Sequence, residues 1–181
     1  GLASYGIEEL ESYPLTLSTD GTAALCLPFN VVIPEGLCAY DATAEDITIN
    51  TETGTHVCTL IPIATSGETL KEGTPTIIKG DEGQYSLSIT MSEGGAKSSL
   101  EQSILKGNYV SCTLTQDNNT RKFSLSTQDG IPSFNAFDNS IAIAANQCWM
   151  ECDIPEASTV TLCFKTTTDI LNLPVTSPST G

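Results

Sequence analysis

Apolar and polar positions alternate in short runs along most of the chain, with a period of two. YPLTLS (Tyr13–Ser18), THVCTLIPI, TPTIIKG, QYSLSITM, RKFSLST and STVTLCFKT are such runs. Each is rich in Thr, Ser and β-branched side chains, which suit a pleated surface. Turn signals separate them, among them PEG, TSGE, GDEGQ, DNNT and DIPEAS. Strands at intervals of about 8–15 residues, with no long helical period, predict an all-β fold. The expected form is an antiparallel β-sandwich or partly open barrel, with room for two sub-sheets. One stretch differs, AKSSLEQSILKG. Leu100, Ile104 and Leu105 fall at helical spacing there and Gly107 is placed to stop a helix. At most one short helix is therefore expected, near 97–106.

The stretch CLPFNVVIPEGLCAY shows how the strands connect. Pro28 has no N–H and cannot sit in mid-ladder. It marks an edge, a bulge or a bend that switches sheets. Pro34-Glu35-Gly36 is a turn, because Pro fixes φ and Gly accepts a positive one. The chain divides into an N-terminal extension (1–12), a single β domain (13–166, with two small lobes as the variant reading) and a Ser/Thr/Pro-rich tail (167–181). No apolar run reaches the ~18 residues of a membrane helix, so direct membrane insertion is not expected. No signal segment is visible at GLASYGIEEL, and an exported chain would have lost one.

Charge narrows the partners. With 22 acids against 7 bases the net charge is −15. Such a surface repels phosphate backbones and anionic lipid, so nucleic acid is excluded as a partner. It also favours solubility. The acidic loops TQDNNT and FDNS contain oxygen donors for calcium, but they lack the D-x-D-x-D-G pattern. No metal site and no cofactor are expected.

Seven cysteines are many for a chain of 181 residues. Cys148 and Cys152 are four apart, about 13 Å along a strand at roughly 3.3 Å per residue, too far to share a zinc ion. No C-x-x-C motif is present. Alternation puts Cys112 on a core face with Val110 and Leu114. It puts Cys26, Cys58 and Cys163 opposite the apolar faces of their strands. Most of the seven are expected to be free buried thiols; if any disulfide forms, those three are the candidates, and an odd total leaves at least one thiol unpaired.

Catalytic signals are sparse. His56, the one histidine, begins a strand, and nothing like G-x-S-x-G or a phosphate-binding loop occurs. Most carboxylates lie in turns, where they shape the backbone. Ligand binding by an exposed aromatic is the other route. Trp149, Tyr40, Tyr85 and Tyr109 are the candidates, set against the commoner role of a strand aromatic as core.

The order of segments carries a resemblance. AALCLPFNVVIPEGLCAYDAT, then LKEGTPTIIKGDEGQYSLSI, then SILKGNYV, resembles the series found in uncharacterised secreted and cell-surface β-domains of Bacteroidetes. The closing run from KFSLSTQDG to TLCF is similar as well, and the match spans about Pro14 to Phe164. Cys38, Cys148 and IAAN depart from that pattern. The resemblance implies a non-catalytic accessory module of an exported bacterial surface protein, structural or adhesive, and it carries over no site residues. A carbohydrate-binding module and a fimbrial or surface-polymer subunit are the alternatives. A secreted or outer-surface location, and a glycan or a host or neighbouring surface protein as partner, go with that expectation.

Overall fold

A computed structural model of the protein describes residues 11–165 apart from 93, 118, 129, 155 and 156. Residues 1–10 of the expected extension and the expected tail lie outside the described residues. The described residues form sixteen strands: β1 (Ser12–Leu17), β2 (Thr22–Leu25), β3 (Asn30–Val32), β4 (Cys38–Asp41), β5 (Ile47–Ile49), β6 (His56–Ala64), β7 (Thr69–Leu70) and β8 (Thr76–Lys79) in the first half. The second half adds β9 (Gly83–Thr90), β10 (Leu105–Gly107), β11 (Cys112–Thr115), β12 (Arg121–Gln128), β13 (Ile131–Ala136), β14 (Ser140–Ile143), β15 (Cys148–Cys152) and β16 (Thr159–Phe164). The fold is all-β. The helical element among the described residues is one 3-10 turn, Ala44–Asp46.

Four strands, β1-β9-β3-β7, form a small sheet. Ten belong to a long sheet ordered β10-β15-β12-β13-β16-β6-β4-β8-β2, with β5 also on β6. β11 and β14 pair separately. Pro28 does what its chemistry predicts. The apolar run breaks there, β2 stays in the long sheet and β3 passes to the small one. Among the described residues the strand pairs are antiparallel except β16 with β6, which run parallel, and an isolated bridge from Leu70 of β7 to Lys97 is parallel too.

Two cores result, and β2, β8, β4 and β6 separate them. Leu25, Ile78 and Ala39 face one core with Leu15, Val31 and Leu87. Their neighbours Ala24, Ile77 and Tyr40 face the other, with Phe123, Phe134 and Met150. Burial on both faces explains why β2 (TAAL) and β8 (TIIK) set apolar residues side by side where a half-buried strand would alternate. In β6, Leu60 faces one core and Ala64 the other. Residues four apart share a face in a regular strand. The pairing skips from Pro62 opposite Tyr40 to Ala64 opposite Ala39, so Ile63 is an extra residue that reverses the parity.

The stretch expected as a helix folds as a turn and β10. Asp41, fully buried, accepts hydrogen bonds from Leu100 N (2.8 Å) and Ser103 Oγ (2.6 Å). Ile104 N donates to Ala42 O at 2.9 Å, and Ile104 O accepts from Glu151 N at 2.8 Å. Gln102 takes a φ of 62°. These long-range bonds outweigh the local helical spacing.

The long sheet curls until its ends meet. Cys26 N, just past β2, donates to Asn146 O at 3.1 Å, just before β15. Cys148 Sγ donates to Thr76 O at 3.3 Å. Gly107 makes the closure possible. A Cβ there would lie 2.5 Å from Cys26 Sγ and 2.6 Å from Cys26 Cβ. Gly107→Ala should destabilise the protein by about 1–3 kcal/mol through overpacking. Adding Cys26→Gly should recover part of that loss, read by urea denaturation in a double-mutant cycle.

Candidate functional site

The aromatic candidates do not come together. Trp149, 7% exposed, lies opposite the core-facing Cys148 and Met150, and its Nε1 donates to Glu151 Oε2 at 2.7 Å. Tyr40 is a core residue, edge-on to Phe164 with ring centroids 5.0 Å apart. Tyr85 is half-buried in the small sheet, and its hydroxyl donates to Asp81 O at 2.7 Å. Tyr109 is exposed beside a cavity of about 250 Å³ lined with Cys26 and Gly107.

Three of the cysteines, Cys58, Cys26 and Cys112, depart from their expected places. All seven are free thiols. Cys58 is a fully buried core residue, because in β6 the even positions before the bulge face the core. Burial pushes its thiol up to about 12. Cys26 is buried too, against Gly107. Cys163 is exposed as expected. It pairs with Thr59 while Leu162 pairs with Cys58, so Cys58 and Cys163 point to opposite faces and cannot bridge. Cys112 is half-buried, and Val110, expected beside it in the core, is 71% exposed.

The two acidic loops considered for calcium do meet. Gln116 N donates to Asn139 O at 2.7 Å, and an open depression of about 650 Å³ lies between them. Gln116 holds both sides, donating to Lys122 O and Phe137 O and accepting from Lys122 N. Arg121 also lines the depression, and its Nε donates to Ala157 O at 2.9 Å. Among the described residues no group of three His, Cys, Asp or Glu is arranged to hold a metal ion.

The best-formed candidate site is the opening in the curled sheet. β12 pairs with β15 only over Arg121–Phe123, and β2 ends the sheet. Ser124–Ser126 of β12 and Thr22–Leu25 of β2 therefore border a gap. That gap is a groove of about 390 Å³. Tyr13 and Thr16 of β1 form its rim, and Leu25, Leu125, Ile143 and Cys148 supply apolar lining. Thr22, Ser124, Ser126 and Gln147 bring hydroxyl and amide groups, which both donate and accept.

Asp20 ties one end of the groove. It accepts from Ser18 Oγ at 2.6 Å, from Thr22 and from Thr127 Oγ1. Partial burial works to raise its pKa, but the bonds from Ser18, Thr127 and Thr22 outweigh that and hold it below 3.8. Lys79 Nζ donates to Asp20 O at 3.2 Å and lies 5.6 Å from the centre of the Phe164 ring. The Cys26–Asn146 bond ties the other end. Sequence reading missed every groove residue except Cys148. They come from three separate stretches, 13–25, 124–126 and 143–148, and carry no shared motif.

The chain matches no protein-family model, no curated protein and no solved structure.

Two buried or tied carboxylates give testable outcomes. Asp41→Asn removes an acceptor and should cost about 1–3 kcal/mol in chemical denaturation. Asp20 is stabilised as the anion, so its contribution is complete above 3.8 and is lost as pH falls through its lowered folded value. The gap in denaturation midpoint between the protein and Asp20→Asn should be present at about pH 6 and shrink at about pH 2.5.

Proposed function

We propose that the chain is a non-catalytic accessory module of an exported bacterial surface protein, with an adhesive or structural role. The observation that carries this reading is the state of Asp41. It is the described carboxylate with a raised pKa, caused by burial and only partly offset by the bonds from Ser103, Leu100 and Ala42. A raised carboxylate pKa is the usual mark of a catalytic acid. Here both oxygens are spent on Ala42 N, Leu100 N and Ser103 Oγ. The group joins segments of chain and lines none of the three cavities described above. Asn30, Asn108 and Gln116 act in the same way, each bridging distant backbone. The resemblance to exported β-domains and the strongly acidic surface agree with this role.

A second reading, carbohydrate binding, is favoured by the groove. A sugar needs donors and acceptors around an apolar contact, and Thr22, Ser124, Ser126 and Gln147 around Leu125 with Tyr13 at the rim meet that need. The surface-polymer reading has less support. A donor strand needs an open channel along a strand edge. This groove is tied at both ends, by Asp20–Thr127 and by Cys26–Asn146. The described residues include no helix long and apolar enough to cross a membrane.

A glycan-array screen tests the pair of readings. Binding that Ser126→Trp abolishes, with Trp149→Phe unchanged, would place the sugar in the groove. Hits insensitive to Ser126→Trp, or an empty array, would remove the carbohydrate reading. The accessory reading itself fails if the purified chain turns over a glycan or peptide and Asp41→Asn stops it while the fold is retained.

A further inference from the structure

We propose that Cys26 and Cys148 form a disulfide site that locks the two ends of the long sheet together. Two routes through the sheet, one by way of Gly107 and one by way of Thr76, bring Cys26 and Cys148 to one slot. Gly107 is the cross-strand partner of Cys148, and paired side chains share a face. Gly107 has no side chain, and Cys26 Sγ fills the space where its Cβ would be. From the other side, Cys148 Sγ donates to Thr76 O at 3.3 Å. Thr76 is the partner of Leu25, the residue before Cys26. The Leu25 amide and the Cys26 thiol both act on the ionisation of Cys148. Cys58 and Cys163, in contrast, face opposite sides of the sheet.

The surroundings also supply access. The cavity of about 250 Å³ between Gly73, Pro75, Asn108 and Tyr109 opens onto Cys26, while Cys148 borders the groove. A small-molecule disulfide is the oxidant required. The Cys26 thiolate attacks one of its sulfurs, the S–S bond breaks, and one thiolate leaves. The Cys148 thiolate then attacks the Cys26 sulfur and expels the second thiolate. Two protein thiols thus lose two protons and two electrons, and the oxidant becomes two thiols. Burial raises both protein thiols above their ordinary pKa, so exchange in the folded protein quickens with rising pH. This site stands independently of what occupies the groove.

The test is incubation of the native protein with oxidised glutathione, followed by alkylation and peptide mapping without reduction. The expected result is one cross-linked peptide pair joining Cys26 to Cys148, with the seven free thiols reduced to five. The oxidised protein should resist denaturant better than the reduced form. That gain should vanish in Cys26→Ser and in Cys148→Ala. If a variant fails to fold, the map of the unaltered chain decides alone. A bridge through any other cysteine overturns the proposal. So does the absence of a bridge both in the native protein and after refolding in a glutathione redox buffer.

Discussion

The structure depends on one wall of strands that must be apolar on both faces. β2, β8, β4 and β6 stand between two cores, and each places successive residues on opposite sides. Ile77 and Ile78 show the constraint most simply, since both are fully buried in different cores. A polar residue at either position would remain unsolvated on one side. Thr76, the one polar residue of β8 that is fully buried, is accommodated because its hydroxyl donates to Tyr40 O at 2.8 Å. The rest of the molecule is arranged around this wall. The small sheet covers one face, and the long sheet curls around to cover the other.

Polar side chains finish what apolar packing begins. The curled sheet needs its ends fastened and its connecting segments held. Asp41 holds the segment before β10, Asn108 holds the approach to β15, and Gln116 holds the paired β11 and β14 to β12 and to the residue after β13. Each of these groups accepts from or donates to backbone, where a lost partner is costly. Salt bridges contribute little. The pair found, Lys97–Glu68, is exposed at 3.7 Å, in the range where the net gain is small. A chain with so few cations has to rely on acceptors paired with backbone N–H groups.

The fold class was legible in the sequence because alternation and turn residues are local properties. Two prolines also carried true information: Pro34 opens a turn that Leu37 N closes onto Pro34 O, and Pro28 marks the change of sheet. What failed was whatever tertiary contact decides. The residues before β10 have helical spacing, but Asp41, far away in sequence, takes the Leu100 amide and the Ser103 hydroxyl. Cys58 looked peripheral because the odd positions of β6 are apolar too, and nothing local reveals either the second core or the extra residue at Ile63. Trp149 looked available for a ligand, yet it is buried and bonded to Glu151. The groove was invisible for a related reason. It is a gap in pairing between strands about 100 residues apart, and it exists only once the sheet has curled.

The division into two cores also fixes an order of assembly as the chain is made. Every buried residue described in the core under the small sheet lies between Leu15 and Leu87, with Tyr13 and Ile89 packed at its edges. The other core takes residues as late as Leu162, and β6 waits for β16 to lie parallel beside it. An N-terminal half leaving its site of synthesis can complete the first core by itself. It then carries a finished layer whose far side, with Tyr40, Leu60 and Ile77, is bare to solvent. That half-built surface is sticky until the last strand arrives, because long-range pairing is slow and uncovered apolar sheet recruits other chains. The double-sided wall thus makes the C-terminal strands the shield that ends the protein's most vulnerable interval.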